Sequence, residues 1–534
     1  KGHYTYPMVA QFSTGILAHF SISIYRWIPD IDAVLQFKVI ERVFQACDTI
    51  IAATDASRDG EMTFRYVYQY LNCTQPCFRL WISSLTDESV RKGMENLKPD
   101  SCYDSLFLSA DSRNKADWIL GINASYAMCK ATGLGNNSLG RVQTPVLAAI
   151  SRRYRERENH ISSDSWPIYI SLQKDGILFK MRRTQDLPDK ESATMFFQDC
   201  KLAHQAQITG ISHSVKEILP PDLLDLTQLQ KEANIRYGFT ASEVYDIAQS
   251  LYEKKLISYP RTSSRYLTED VFDSLPPIMA CLLSWELFPA AKGTGGIDIS
   301  NLSRHVISAE KANVHHAIII TGIRPGNLSE KEMQVYRLVA GRMLETFMAP
   351  CRIETTNVEA VCAAQHFKAE QTRIIEAGWH DVFMRYDMIP TSGYSVKELP
   401  EVEKGDTLNV CGCNMVHKKE LPVDPFTDAE LVEYMELNGL GTVSSRTNII
   451  RTLVNRKYIR YSGKYIVPTP KGMFTYETIR GKKIADTSLT ADWEKQLAGL
   501  ESGMITGQDF LNRIRTLAKE MTDDIFNTYS TKEE

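Results

Sequence analysis

The feature that most limits what this chain can fold into is a change of hydrophobic period along it. Residues 166–181 and 353–413 alternate apolar and polar side chains, the period of antiparallel strands with one buried face. Between them, Leu226 to Ala349 is mainly helical in period and is interrupted by a glycine-rich loop, Gly293-Thr-Gly-Gly296. A β region interrupted by helices requires a chain that leaves one body, builds another and returns. The switch also occurs earlier. Asp48 to Thr54 is a short β-branched run that stops at Asp55, and a helical pattern follows from about Met62 to Leu71. Strand, polar turn and helix make the α/β unit whose ligands gather at the strand's carboxyl end. Residues 105–157 read as helices, with Leu106, Ala110, Ala116, Ile119, Leu120 and Ala127 at helical spacing and Val146, Leu147 and Ile150 continuing the stripe after Pro145. At 534 residues the chain has room for about three or four domains.

Composition narrows the function classes. Hydrophobic residues are 43 % and charged residues 24 % of the chain, ordinary globular usage that excludes disordered, collagen-like and coiled-coil classes. No apolar run approaches the roughly 18 to 20 residues of a membrane-spanning helix. The chain opens at Lys1-Gly2-His3 with neither an initiator Met nor an apolar leader, and the expectation is a cytoplasmic fragment. Eleven cysteines are spread without a C-x-x-C pair, Cys73/Cys77 and Cys411/Cys413 being the close spacings, so reduced structural thiols are expected. Sixty-one Lys plus Arg against 65 Asp plus Glu leave a net charge of −4, so any polyanion must meet a local patch. Residues 437–476 supply one: Arg446, Arg451, Arg456, Lys457, Arg460, Lys464 and Lys471, with no acid, interleaved with Tyr458, Tyr461, Tyr465, Phe474 and Tyr476. Cations for phosphates beside rings for base stacking suit a single nucleic-acid strand; a solvated basic face is the other reading.

Several motifs could carry chemistry. The turn Asp55-Ala-Ser-Arg-Asp-Gly-Glu61 crowds carboxylates at a strand end, as a metal that meets a phosphate requires, or as a solvated turn capping the next helix would. Arg58 within it is a phosphate ligand or a counter-charge. Thr240-Ala-Ser-Glu243 and Thr427-Asp-Ala-Glu430 are capping boxes that open helices. After the first of these helices comes Tyr259-Pro-Arg-Thr262, where Pro260 forces Tyr259 into an extended conformation and Arg261 falls on the same face as the phenol. A guanidinium beside a phenol can hold a phosphodiester and favour phenolate character. Leu251 to Tyr259 (LYEKKLISY) is echoed by Leu453 to Tyr461 (LVNRKYIRY), by chance or because two winged-helix-like units share a design. Tyr461 is followed by Ser-Gly-Lys instead and is read as structural or DNA-contacting. His315-His316 offers an imidazole for a phosphate or a proton, or a structural pair. Ser138-Leu-Gly-Arg-Val-Gln143, just before Pro145, joins small residues to an arginine and an amide that could hold a phosphate. Arg152, Arg153, Arg155 and Arg157 follow, as a phosphate-binding or a solvated helix face.

In this order the motifs resemble the type IA DNA topoisomerases, in the bacterial topoisomerase III branch. The resemblance rests on ATDASRDGE (Ala53 to Glu61), RLWISSLTDES (Arg79 to Ser89), SRNKADWILGINAS (Ser112 to Ser125), SLGRVQTP (Ser138 to Pro145), DLTQLQKEAN (Asp225 to Asn234), AQSLYEKKLISYPRTSSRYL (Ala248 to Leu267), HHAIIITG (His315 to Gly322) and GLGTVSSRTNII (Gly439 to Ile450). It implies a multidomain toroid: a Toprim α/β domain over 1–105 without its first strand, a helical DNA-binding domain from 106–162 and 421–534, an antiparallel β hinge or gate from 163–222 and 352–420, and a helical winged-helix-like domain, 223–351, carrying the catalytic tyrosine. Tyr259 would attack the phosphodiester and become joined to the 5′ phosphate. Arg261 and His315 would assist, Asp55 and Glu61 would hold Mg²⁺, with Glu61 also catalytic, and Arg113, Ser138, Gly140, Arg141, Val142, Gln143 and Arg446 would line the DNA strand. Ser57 stands where many relatives carry a third acid. The implied activity is ATP-independent strand cleavage, passage and religation on single-stranded and negatively supercoiled DNA. It would be that of a cytoplasmic monomer, associated with the nucleoid or a mobile element, with a helicase or single-strand-binding protein as partner. The rival reading is a catalytically impaired single-strand DNA-binding remnant of the same fold.

Overall fold

The computed structural model describes residues 34–530 apart from 83–86, 134, 136, 286, 289–296, 313–314 and 385–391, so the loop at 293–296 lies outside the described residues. Helix α1 (Val34–Gln45) precedes a small α/β unit: β1 (Ile50–Ala52), α2 (Arg58–Tyr70), β2 (Cys77–Arg79), α3 (Asp87–Glu95) and β3 (Lys98–Pro99). β1 and β2 are parallel, with Ile50 opposite Cys77, and β3 is antiparallel to β2. Parallel neighbours need a crossover, which α2 supplies. Helix α2 begins at Arg58 rather than near Met62 because Ser57 caps it, its hydroxyl accepting from Gly60 N at 3.1 Å.

The long helix α4 (Asp104–Thr132) ends at Gly133, whose φ of 64° suits glycine, and α5 (Gln143–Glu158) follows. After α5 the chain runs through β4 (Asp164–Ser165) into the strands of a barrel: β5 (Ile168–Lys174), β6 (Ile177–Arg183) and, beyond helix α6 (Lys190–Leu202), β7 (Gln205–Ile218). It leaves for α7 (Leu226–Tyr237), α8 (Ala241–Glu253), α9 (Glu269–Asp273), α10 (Leu275–Ser284) and α11 (Glu330–Phe347). It then returns through β8 (Cys351–Cys362), β9 (Gln365–Glu376) and β10 (Thr407–Met415), which close the barrel in the order β10-β5-β6-β9-β8-β7. The alternation expected of 166–181 and 353–413 fills its interior: Ile168, Ile170, Leu172, Phe179, Val358, Ala360 and Phe367 all point inward. β7 was hidden in the sequence because its second half, from His213 to Glu217, is exposed and carries no apolar alternation. β11 (Lys418–Lys419) pairs antiparallel with β4, so the chain enters and leaves the barrel on one two-stranded ribbon.

The last segment comprises α12 (Asp428–Leu437), α13 (Val443–Asn455), the hairpin β12 (Ile459–Ser462) and β13 (Tyr465–Pro468), α14 (Pro470–Ile479), α15 (Ser488–Glu501) and α16 (Gly507–Ser530). α15 and α16 pack along α4, burying Ile119, Leu120, Trp493, Leu497, Phe510 and Ile514 in one core.

The sequence echo is a structural repeat. α8 and α13 each have 13 residues and a threonine cap, Thr240 with Glu243 in one and Thr442 with Ser445 in the other. Each ends at a lysine in the left-handed region, Lys255 at φ 61° and Lys457 at φ 60°, and the next amide reaches back to the helix, Leu256 N to Leu251 O and Tyr458 N to Leu453 O, both at 2.9 Å. The two units face one another. Gln230 Nε2 donates to Thr447 Oγ1 at 2.9 Å, and Asp428, the first residue of α12, accepts from Ala241 N at 3.2 Å and from Tyr461 Oη at 3.1 Å.

Burial pushes the Asp428 carboxyl up to about 6, against the pull of Ala241 N and Tyr461. A carboxyl raised on folding favours the protonated native state, so its contribution is greatest below about pH 4, the unfolded range, and is lost as pH rises to about 6. Thermal unfolding of Asp428→Asn across that window should show a shallower loss of stability than the parent chain, the two curves diverging in the variant's favour toward neutral pH. Parallel curves would contradict this.

Candidate active site

The turn after β1 is wrapped around Arg79, the last residue of β2, whose side chain is fully buried. Arg79 Nη1 donates to the Ala52 carbonyl at 3.1 Å and Thr54 Oγ1 at 2.9 Å, and Nη2 donates to the Asp55 carbonyl at 2.5 Å. Its Nε lies 3.1 Å from Glu61 Oε2, while Glu61 Oε1 accepts from Arg65 Nε at 2.8 Å. Three inward oxygens and a buried carboxylate are tolerable only around such a cation. Gly60 is needed for the close approach: a Cβ there would lie 2.0 Å from the Asp55 carbonyl oxygen. Glu61 is thereby turned inward and Asp55 outward, where it is exposed.

Asp55 Oδ2 accepts from Tyr259 Oη at 2.7 Å, joining this turn to the segment after α8. Tyr259 is placed by its neighbours, which pair with the strand-like segment that carries the histidines. Ser258 N donates to the Ile319 carbonyl at 2.8 Å, and Ile257 bridges Ile320. The same pairing sets the His315 ring 4.6 Å from that of Tyr259. His316 is buried, its Nδ1 2.7 Å from the Ala317 carbonyl, and is structural. Arg261 stands with its guanidinium 5.9 Å from the Tyr259 ring centre and 5.3 Å from that of Tyr245, and Nη2 donates to Gln249 Oε1 at 3.2 Å. Its Nε is buried without a hydrogen-bond partner. Burial, then the hydrogen bond and charge of Asp55, push the Tyr259 phenol far above its ordinary value, and Arg261 opposes them. Burial holds His315 below the usual imidazole range against the charge of Asp55, so the ring is neutral at neutral pH.

The residues expected to line a strand divide. Ser138 and Gln143 remain half-exposed and converge on Arg456, whose Nη1 donates to Ser138 Oγ at 2.5 Å and Gln143 Oε1 at 2.9 Å. Lys471 Nζ donates to the Arg456 carbonyl at 3.0 Å, and burial followed by the charges of Arg456 and Lys457 holds Lys471 below the usual lysine range. Arg456 is thus a candidate not singled out from the sequence, although the acid-free run around it was the signal. Gly140 donates its amide to Thr144 Oγ1 at 2.9 Å and Val142 packs against the core.

Three arginines of the expected strand-lining set are engaged by partners within the chain. Arg446 is buried, donating to Thr227 Oγ1 at 3.0 Å and lying 3.3 Å from Glu436, so it ties α13 to α7. Arg141 is clamped by both oxygens of Asp117 at 2.7 and 3.2 Å and stacks 4.8 Å over Trp493. Arg113 is bonded to Asp59 and links α4 to the acidic turn. Similarly, Arg58 is a counter-charge to Glu494 and Glu501 of α15. On α5, Arg153, Arg155 and Arg157 pair with Glu430, Glu477 and Asp424.

Asp55 and Glu61 do not form the expected two-acid Mg²⁺ site. Both Glu61 oxygens face guanidinium groups, and Asp55 is engaged by Tyr259. Among the described residues no three His, Cys, Asp or Glu side chains gather as metal ligands.

Residues 101–512 match the family model described as DNA topoisomerase. DNA topoisomerase 3 of Bacillus licheniformis is 32 % identical over 501 residues, 89 % of this chain and 68 % of that protein. DNA topoisomerase 3 of Bacillus subtilis is 32 % identical over 517 residues, 90 % and 69 % of the two chains. The structure of full-length topoisomerase I from Thermotoga maritima has the same fold, with a TM-score of 0.72 over 96 % of this chain and 84 % of that one at 21 % identity. The chain therefore belongs to the type IA DNA topoisomerases. Its place among them is the topoisomerase III branch, that of the Bacillus relatives.

Removing Arg79 should strand Glu61 and the turn carbonyls. Arg79→Ala is expected to lose about 3–5 kcal/mol in chemical denaturation, with Arg79→Ala/Glu61→Gln recovering part of it. A loss within about 0.5 kcal/mol would show that the turn does not depend on this cation.

Proposed function

We propose that the chain breaks one DNA strand through Tyr259, lets another strand pass and reseals the break, relaxing negative supercoils or unlinking DNA without ATP. The observation that carries this is the meeting of Tyr259, Asp55, Arg261 and His315 from three separate segments. Asp55 is at proton-transfer distance from the phenol and takes its proton as the phenolic oxygen attacks phosphorus. Arg261, with its unengaged Nε, and the His315 ring N–H serve the non-bridging oxygens. The bond from phosphorus to the 3′ oxygen breaks, and that oxygen receives the proton held by Asp55. The 5′ phosphotyrosine keeps the energy of the broken diester, so the reverse attack reseals the strand. Because Glu61 is enclosed by arginines, none of these steps is routed through Mg²⁺.

The four bodies, with the boundaries expected above, would close into a toroid, the barrel acting as hinge. Ser138, Gln143 and Arg456 would hold the strand leading to Tyr259. The working form would be a cytoplasmic monomer, supplied with single strands by a helicase or a single-strand-binding protein. The noncatalytic reading lacks a comparable observation, since an inert remnant does not require a phenol, carboxylate and guanidinium in register.

Tyr259→Phe should abolish relaxation of negatively supercoiled plasmid, and Arg261→Ala should slow it by about 10²–10³-fold, the cost of losing a charge-stabilising donor. Relaxation at the parental rate by Tyr259→Phe would overturn the assignment. Binding of single-stranded oligonucleotide by Arg456→Ala should lose about one unit of salt slope, whereas Arg446→Ala should change stability and leave the slope intact. The opposite pattern would reverse these two assignments.

A further inference from the structure

The α/β body around β1 touches the helical body that carries Tyr259 in a second place besides Asp55. Ser89 of α3 donates its hydroxyl to Asp270 Oδ2 of α9 at 2.8 Å. Each partner is fixed to its own body. α3 lies directly on the residues that continue β2 because Gly93 has no side chain: a Cβ there would lie 2.5 Å from Ile82 Cγ2 and 2.7 Å from Leu80 Cδ1. Ser89, one turn before Gly93, therefore moves with the strand whose last residue, Arg79, orders the acidic turn. Asp270 is followed by Val271 and Phe272, which are buried in the helical core. Just before α9, Leu267 N donates to the Val306 carbonyl at 2.8 Å and Ser308 N to the Leu267 carbonyl at 3.1 Å. Among the described residues the apolar cores of the two bodies are separate, one around Ile50 and Phe64, the other around Leu251 and Val271. Polar links therefore carry weight at this contact that a shared core would otherwise carry.

The two links respond differently to the proposed reaction. As the bond from the Tyr259 oxygen to phosphorus forms and the bond from phosphorus to the 3′ oxygen breaks, the phenolic proton passes by way of Asp55 to the departing oxygen. The esterified Tyr259 oxygen then has no proton to donate, and Asp55 is again a carboxylate, now facing a phosphodiester anion. An attraction at 2.7 Å has become a contact between like charges. Neither Ser89 nor Asp270 takes part in the chemistry, so their bond outlasts the first.

We propose that Ser89 and Asp270 form a latch that holds the cut ends together after the bond between Tyr259 and Asp55 has been spent. Ser89 is thus a positioning residue for religation, an inference that rests on the assignment of Tyr259. Both partners are half-buried, so water can replace the bond when the bodies part. A hydroxyl bonded to a carboxylate under those conditions favours the closed form without locking it, and its loss should raise the ratio of parted to closed bodies by about tenfold.

The test has two arms, both on the full chain. In the first, without DNA, fluorophores on exposed Lys38 of α1 and exposed Ser284 of α10 report the separation of the bodies by single-molecule energy transfer. Tyr259→Phe lacks the phenolic hydroxyl and stands for the spent link. In that background Ser89→Ala and Asp270→Ala should each raise the parted population about tenfold, and the double variant should go no further because the same bond is lost. Ser89→Thr, which keeps the hydroxyl, should remain at the background level. In the second arm, with Tyr259 present, Ser89→Ala should cut single-stranded oligonucleotide within about twofold of the parental rate and reseal it about tenfold more slowly. Equal parted populations with and without the Ser89 hydroxyl would overturn the latch, as would equal slowing of cutting and resealing. A covalent adduct that persists in Tyr259→Phe would overturn the assignment of Tyr259 instead, and the first arm, which involves no DNA, would still decide on the latch.

Discussion

The arrangement proposed for catalysis depends on one buried guanidinium. Arg79 gathers the carbonyls of Ala52 and Asp55, the hydroxyl of Thr54 and the carboxylate of Glu61, and so fixes the path of the chain from the end of β1 into α2. Only with that path fixed does the Asp55 carboxylate face outward at 2.7 Å from the Tyr259 hydroxyl. The turn that looks acidic in sequence is therefore cationic at its centre. Glu61 falls on the buried side of Arg79 and Asp55 on the exposed side.

A second constraint is the repeated helix–turn–helix design. α8 and α13 share length, threonine start, lysine turn and a tyrosine four residues after that lysine, yet the two tyrosines have different prospects. Tyr259 meets a carboxylate on an exposed turn and has Arg261 and His315 beside it. Tyr461 meets Asp428, a buried carboxylate already bonded to the start of α8, and so joins the two units together. The same local structure thus leaves one tyrosine beside an exposed carboxylate and ties the other between the two units. What differs is the partner that packing supplies.

This explains what was legible in the sequence. Capping boxes and the alternation of β5 are local, and each could be read from a handful of neighbours. Tyr259, Arg261 and His315, which the proposed mechanism uses, stood out for a related reason: each lies in a short motif, and the structure brings the three side chains together. Charge partners were not. Glu61 and Asp55 sit in the same turn and look alike as letters, and only the placing of buried Arg79 and half-buried Arg65 against Glu61 decides that one is enclosed. Arg446 and Arg141 read as phosphate ligands because their acids, Glu436 and Asp117, lie 10 and 24 residues away and are brought in by packing. Arg456 was one basic residue among many until the fold placed it against Ser138 and Gln143.

The central claim is that Tyr259, and no other tyrosine, forms the covalent link to DNA. It is tested most directly by incubating the protein with single-stranded oligonucleotide, stopping with denaturant, digesting both components and locating the nucleotide adduct by tandem mass spectrometry. The account predicts a 5′-linked nucleotide on the peptide containing Tyr259. An adduct on Tyr461 or another residue, or a 3′ linkage, would contradict it.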